Sequence, residues 1–168
     1  MFPRNGRSVV SDVDRRWLRE AVETSRLCVP SKTAYAVGAV IVSADGREIS
    51  RGHSRDQGPV VHAEQSALMR LGTSAGDLSG VTMYSSMEPC TSRRSAPATC
   101  CDLIIAAGIG RVVLALPEPP TFVKCVGIAM LSGVGIEVVT VPELAAEVMA
   151  INAALLEVPA IPGTAEAT

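Results

Sequence analysis

Apolar residues recur along this chain in two patterns that take turns, a helical period and short continuous runs. Ser11-Asp12-Val13-Asp14 carries an acid three residues after a serine, a helix-start signal. Trp17, Leu18, Ala21 and Val22 follow on one helical face, and Pro30 is expected to end that helix. Residues 37–42 form a nearly unbroken apolar run, as a strand buried on both faces requires. Ala44-Asp45-Gly46-Arg47 is a hairpin-type turn, and 48–53 returns as the partner strand. Residues 62–71 place Ala63, Ala67, Leu68 and Leu71 on a helical period. Segment 81–86 is a strand, 98–107 a helix stopped by Gly108, and 111–116 a strand rich in valine and leucine. A helix over 122–131 is closed by Gly133 and Gly135, a last strand covers 136–141, and Pro142 opens a final helix through residue 156.

After one hairpin, helices and strands alternate. That order predicts a three-layer α/β/α sandwich around a mostly parallel, mixed five-stranded sheet, with an antiparallel edge supplied by the hairpin. At 168 residues the chain fits one domain, expected over 11–158. The polar stretch 1–10 and the Ala/Pro/Gly/Thr-rich stretch 159–168 are expected to be flexible.

Composition narrows the partners. The net charge is −2, aromatic residues make up 3%, and no Lys/Arg block exceeds two residues. A polynucleotide-binding surface needs a basic stripe or stacking aromatics, so a small-molecule substrate is expected and nucleic acid is not. No apolar run is long enough to cross a membrane, and residues 1–10 lack the apolar core of a secretory signal. Five cysteines, an odd number, fit metal ligands and thiols in a reducing cytoplasm better than a disulfide framework.

The chemistry concentrates in His62-Ala63-Glu64, Glu88-Pro89-Cys90 and Cys100-Cys101. An imidazole and two thiolates fill three corners of a zinc tetrahedron and leave the fourth for water. Zinc, one ion per chain, is therefore the expected cofactor, held by His62, Cys90 and either Cys100 or Cys101. His62 falls at a helix start with Glu64 in its first turn, where the positive helix end favours an ionised carboxylate. Glu64 is placed to move protons without being a ligand. A helix N-terminus at the paired cysteines is expected to favour thiolate. Glu88 is read either as a surface carboxylate or as a group that orients the Pro89-Cys90 backbone. His53 is read as a surface histidine, and Cys28 and Cys125 as buried small hydrophobes on helices.

A His-x-Glu followed by Pro-Cys and a further Cys resembles the signature of zinc deaminases, and the chain is similar to the cytidine deaminase-like superfamily. The stretch from Ser85-Ser86-Met87-Glu88-Pro89-Cys90 through Cys100-Cys101-Asp102-Leu103-Ile104-Ile105-Ala106-Ala107-Gly108 most resembles the deaminase domain of the bifunctional riboflavin-biosynthesis deaminase/reductase. The similarity spans roughly residues 14–140. It implies zinc, a three-layer sandwich, Glu64 as proton shuttle, and Cys100 as third ligand beside His62 and Cys90. The loop 91–99 is one residue longer than that family's pattern. Thr33-Ala34-Tyr35-Ala36-Val37-Gly38 instead resembles the Ser-x-Phe-x-Val-Gly of cytidine deaminases, with Tyr35 as the aromatic.

The resemblance implies hydrolytic removal of an exocyclic amine from a small aminopyrimidine or nucleotide, with the phosphoribosylated diaminopyrimidine of riboflavin synthesis as one candidate substrate. Arg93 and Arg94, aided by Ser95, are expected to bind an anionic group on it, and Tyr35 and Ala63 complete the candidate substrate contacts. A stand-alone deaminase forming a homodimer or higher oligomer is expected. Alternatives are a cytidine, deoxycytidylate or cytosine-type deaminase, a nucleic-acid deaminase, and a zinc-stabilised interaction domain without catalysis. Glu64 argues against the last, since a structural zinc site closes with a fourth protein ligand and needs no proton carrier.

Overall fold

The computed structural model describes residues 9–73, 75–120 and 124–156. The two ends expected to be flexible lie outside these, save Val9 and Val10. Helix α1 (Asp12–Ser25) begins with a capping box in which Ser11 and Asp14 bond reciprocally. It ends well before Pro30, because Thr24 and Ser25 turn their hydroxyls back onto the carbonyls of Glu20 and Val22. Cys28 therefore falls in a turn, half-buried, and not on a helix as expected.

Strands β1 (Gly38–Val42) and β2 (Glu48–His53) form the hairpin, followed by α2 (Ala63–Leu71), β3 (Thr82–Met87), α3 (Cys100–Ala107) and β4 (Arg111–Leu116). Then come α4 (Gly127–Gly133), β5 (Glu137–Thr140), a 3₁₀ turn (Pro142–Leu144), α5 (Ala145–Ile151) and α6 (Ala153–Leu156). The sheet order is β2-β1-β3-β4-β5. β1 is antiparallel to both its neighbours, while β3, β4 and β5 are mutually parallel. The reversed strand is thus the inner β1, and the edge strand β2 points the same way as the remaining three. The expected antiparallel edge becomes an antiparallel second strand.

Alternate side chains of each strand feed two cores. Val40, Val42, Tyr84 and Val113 pack against Trp17, Leu18, Ala21 and Val22 of α1, together with Val148 of α5. Ala39, Ile41, Met83 and Val112 pack against Ala63, Ala67, Ile104 and Leu131 of α2, α3 and α4. Gly52 lets α2 lie directly on β2, since a Cβ there would meet the Ala67 amide nitrogen at 2.6 Å.

Two helix expectations need correction. The helix expected over 122–131 begins only at Gly127, and Cys125 lies before it, half-buried and non-helical. The start is set by Glu88, whose Oε1 accepts from the Ile128 amide at 2.9 Å and so takes a first-turn donor. The final helix is broken at Asn152, whose side-chain amide bonds both the N–H (2.8 Å) and the carbonyl (3.1 Å) of Ala36. No helix among the described residues is long and apolar enough to cross a membrane.

Candidate metal centre and active site

The C-terminal end of β3 and the N-terminal ends of α2 and α3 meet at one edge of the sheet. His62 is the N-cap residue of α2, in extended conformation, and its side chain is left free to turn inward. Cys90 follows β3 by three residues. α3 starts in a second capping box, Thr99 with Asp102, which puts Cys100 at its first position. The Cys100 amide, one of the donors a helix start leaves without a helical partner, points to the Cys90 sulfur at 3.3 Å. The His62 Nδ1 lies 3.5 Å from both Cys90 Sγ and Cys100 Sγ. These three donor atoms all fall within 4.8 Å of one another.

Electrostatics agree with a shared negative charge between the two thiols. The Cys100 thiol and the His62 ring bring Cys90 down to about 4, against the opposing effect of burial. The hydrogen bond with Cys90 and burial push Cys100 up. His62 is raised chiefly by its hydrogen bond with Cys90. Two soft sulfurs and one imidazole nitrogen, brought together without a carboxylate, match the donor set of zinc.

The paired cysteines differ in direction. Cys101 Sγ turns away and donates to the Pro89 carbonyl at 3.4 Å, within the α2/α3 core, where burial pushes its thiol well above the usual range.

Glu64 stands beside this cluster and outside it. Its residue is 3% exposed, and burial raises its carboxyl against the pull of His62. The Ser85 hydroxyl donates to Oε1 at 2.9 Å. Ser85 was not singled out in the sequence, and its only signal there is an inward position on β3.

The remaining candidates separate. Ala63 is fully buried against α2's core. Tyr35, 8% exposed, packs in the α1-side core with Trp17 and Met87. Arg93 bonds Val60 O (2.6 Å), Gln65 Oε1 (3.0 Å) and Ser95 Oγ (3.1 Å), so its guanidinium braces the 91–99 loop against the start of α2. Arg94 and Ser95 are exposed. Glu88 is buried, so it is not a surface carboxylate, and the backbone it holds is that of Glu118 and Ile128, not of Pro89-Cys90. Its Oε2 accepts from the Glu118 amide at 3.0 Å while Oε1 holds Ile128. Cys125 donates to Pro89 O at 3.3 Å. Nearby, burial pushes Glu118 up to about 7. His53 is mostly shielded, with Nδ1 3.3 Å from Ser54 O and Nε2 3.7 Å from Asp56.

Residues 11–116 match the family described as the cytidine and deoxycytidylate deaminase zinc-binding region. The chain belongs to this family. It is 39% identical over 117 residues to the diaminohydroxyphosphoribosylamino-pyrimidine deaminase of Schizosaccharomyces pombe, covering 68% of this chain and 29% of that protein. Among solved structures it is similar to Acinetobacter baumannii RibD, at 29% identity and a TM-score of 0.74 over 86% of this chain and 39% of that one. It is also similar to the Thermotoga maritima diaminohydroxyphosphoribosylaminopyrimidine deaminase/5-amino-6-(5-phosphoribosylamino)uracil reductase, at 31% identity and a TM-score of 0.73. That match covers 83% of this chain and 39% of the other. The deaminase-family chain thus spans about a third of these relatives' length. The expected resemblance to riboflavin-biosynthesis deaminase domains and the expected fold are both borne out.

Proposed function

We propose that this chain is a zinc-dependent hydrolytic deaminase of a small aminopyrimidine or its nucleotide, with the phosphoribosylated diaminopyrimidine of riboflavin synthesis as its substrate. One observation carries the reading: a buried carboxylate, Glu64, beside a three-donor cluster that it does not join. His62, Cys90 and Cys100 would hold the zinc. When bound, zinc lowers the pKa of water toward neutrality and makes hydroxide available as nucleophile. Ser85 holds Glu64 Oε1, which leaves Oε2 to take the proton released by that water. Glu64 then delivers protons to the ring nitrogen and to the departing amine, so an amidine and water become a carbonyl compound and ammonia. A carboxyl already raised by burial both accepts and returns a proton readily near neutral pH.

Arg94, exposed on the loop between the two zinc cysteines, is the candidate for an anionic group on the substrate, with Ser95 beside it. Arg93, whose N–H groups are engaged within the protein, supports the loop that carries them. Ala63 lies between ligand and proton carrier, so its contact with substrate would run through its backbone. Tyr35 would act as packing behind the site. Family likeness supports a homodimer or higher oligomer, and five unpaired cysteines support a reducing, cytoplasmic setting.

The test is an ammonia-release screen of the zinc-loaded chain over diaminopyrimidines and cytosine compounds, each with and without phosphate. Turnover is expected to be highest on the phosphoribosylated diaminopyrimidine. Preference for cytidine or deoxycytidylate would transfer the assignment to that branch of the family, and preference for a free base would remove the role of Arg94.

A further inference from the structure

A cavity with mixed polar and apolar walls opens on the α1 side of the sheet, and none of the three metal-cluster residues lines it. It has a volume of about 340 Å³ and is lined in part by Ser25, Arg26, Cys28, Ser31, Arg55 and Asn152. No carboxylate lines it among the described residues. Its two cations differ. Arg26 is neutralised by Glu147 at 2.7 Å and Glu23 at 3.1 Å. Arg55 has no carboxylate partner among the described ion pairs, although it is half-buried. Its Nη1 and Nη2 donate to the carbonyls of Tyr35 (3.1 Å) and Val29 (2.7 Å), and its buried Nε has no partner. Two carbonyl bonds fix the plane of a guanidinium but leave its charge uncompensated.

The backbone adds an independent observation. Arg55 is the only non-glycine residue with positive φ among the described residues, at 65°. It occupies the third position of a turn closed by Asp56 N–H to His53 O at 3.2 Å, a place that favours glycine or asparagine. A long cationic side chain held in strained backbone at a cavity wall, with one N–H left over on each terminal nitrogen, is suited to clamp a ligand.

We propose that Arg55 and this cavity bind an anion, a phosphate or carboxylate carried by a small molecule, at a site separate from the His62–Cys90–Cys100 cluster. The fork of Arg55 would receive two oxygens of the anion, the geometry in which guanidinium and oxyanion bind most strongly. The anion is either the tail of the substrate or a separate metabolite. Arg55 also donates its amide to Val61 O at 2.8 Å, next to His62, so occupancy of the cavity bears on the strand of chain that presents the metal ligand.

Inorganic phosphate is the probe, titrated by calorimetry into the zinc-loaded full chain. Saturable binding at one site per chain is expected, weakened about tenfold or more in Arg55→Gln. Ser31→Asp, which places a carboxylate on the cavity wall without removing the arginine, is expected to weaken it equally and decides the matter if Arg55→Gln does not fold. Arg94→Ala should leave the Arg55-dependent binding unchanged, because Arg94 does not line this cavity. Inhibition by phosphate that is competitive with a phosphorylated substrate and is lost in Arg55→Gln identifies the anion as the substrate's tail and takes that role from Arg94; binding that leaves KM unchanged identifies a separate metabolite. Absence of saturable binding overturns the proposal, as does binding that survives both cavity substitutions or is lost with Arg94→Ala. Because the readout is binding, it stands or falls apart from the deaminase reading.

Discussion

Asp14 and Glu64 are both buried carboxylates, 3% exposed each, on opposite faces of the sheet, and they are treated in opposite ways. Asp14 accepts from Ser11 N and Oγ, from Tyr84 OH at 3.1 Å, and from both terminal nitrogens of Arg111 at 2.6 and 3.1 Å. Those donors, Arg111 foremost, outweigh burial and hold its carboxyl down at about 2. Glu64 accepts from the Ser85 hydroxyl and lies against Cys100, with no cation bonded to it, and burial prevails, so its carboxyl is raised. A fully satisfied carboxylate is a fastener, because nothing is left for it to exchange. An under-satisfied one beside a metal cluster is poised to take up and release a proton.

The most severe way to break the reactive side is to remove the cluster. Cys100→Ser is expected to lose zinc and with it essentially all ammonia release, whereas Cys101→Ser keeps most of the metal because its sulfur faces Pro89. Metal analysis showing the reverse would move the ligand to Cys101. Breaking the fastener should leave chemistry intact and cost stability. Asp14→Ala strands Arg111 with Glu137 alone and is expected to destabilise by about 3 kcal/mol in urea unfolding, with zinc content unchanged.

The same fastener has a pH signature. Because the folded-state pKa of Asp14 is depressed from 3.8 to about 2, its stabilisation is complete above 3.8 and is lost as pH falls from there toward 2. The loss amounts to about 2 kcal/mol, and Asp14→Ala should remove that part of the acid dependence. Equal acid sensitivity in the variant would show that Asp14 is not the group titrating. Smaller still is the effect expected on the reactive side from Ser85→Ala. With Oε1 no longer held, kcat should fall about tenfold while zinc stays bound. An unchanged kcat would mean that Glu64 is positioned by other contacts.

The contrast also explains what was legible in the sequence. His62, Glu64, Cys90 and the paired cysteines stand in short motifs, and the capping signal at Ser11 is local, so both the cluster and the start of α1 can be read off the chain. The orientation that separates Cys100 from Cys101 depends on where α3 begins relative to Pro89. Partners far apart in sequence leave no such mark. Nothing near Asp14 announces Arg111, nothing near Glu64 announces Ser85, and the interruption of the last helix at Asn152 follows from its bonds to Ala36. Likewise, the late start of α4 at Gly127 reflects Glu88 reaching across from the metal loop.

The central claim is that Glu64 carries protons for the metal centre without holding the metal, and Glu64→Gln tests it most directly. The zinc-loaded variant should retain one zinc per chain and its thermal midpoint, while kcat for ammonia release drops by about 10² to 10⁴. Near wild-type turnover, or loss of zinc in step with activity, would contradict the account.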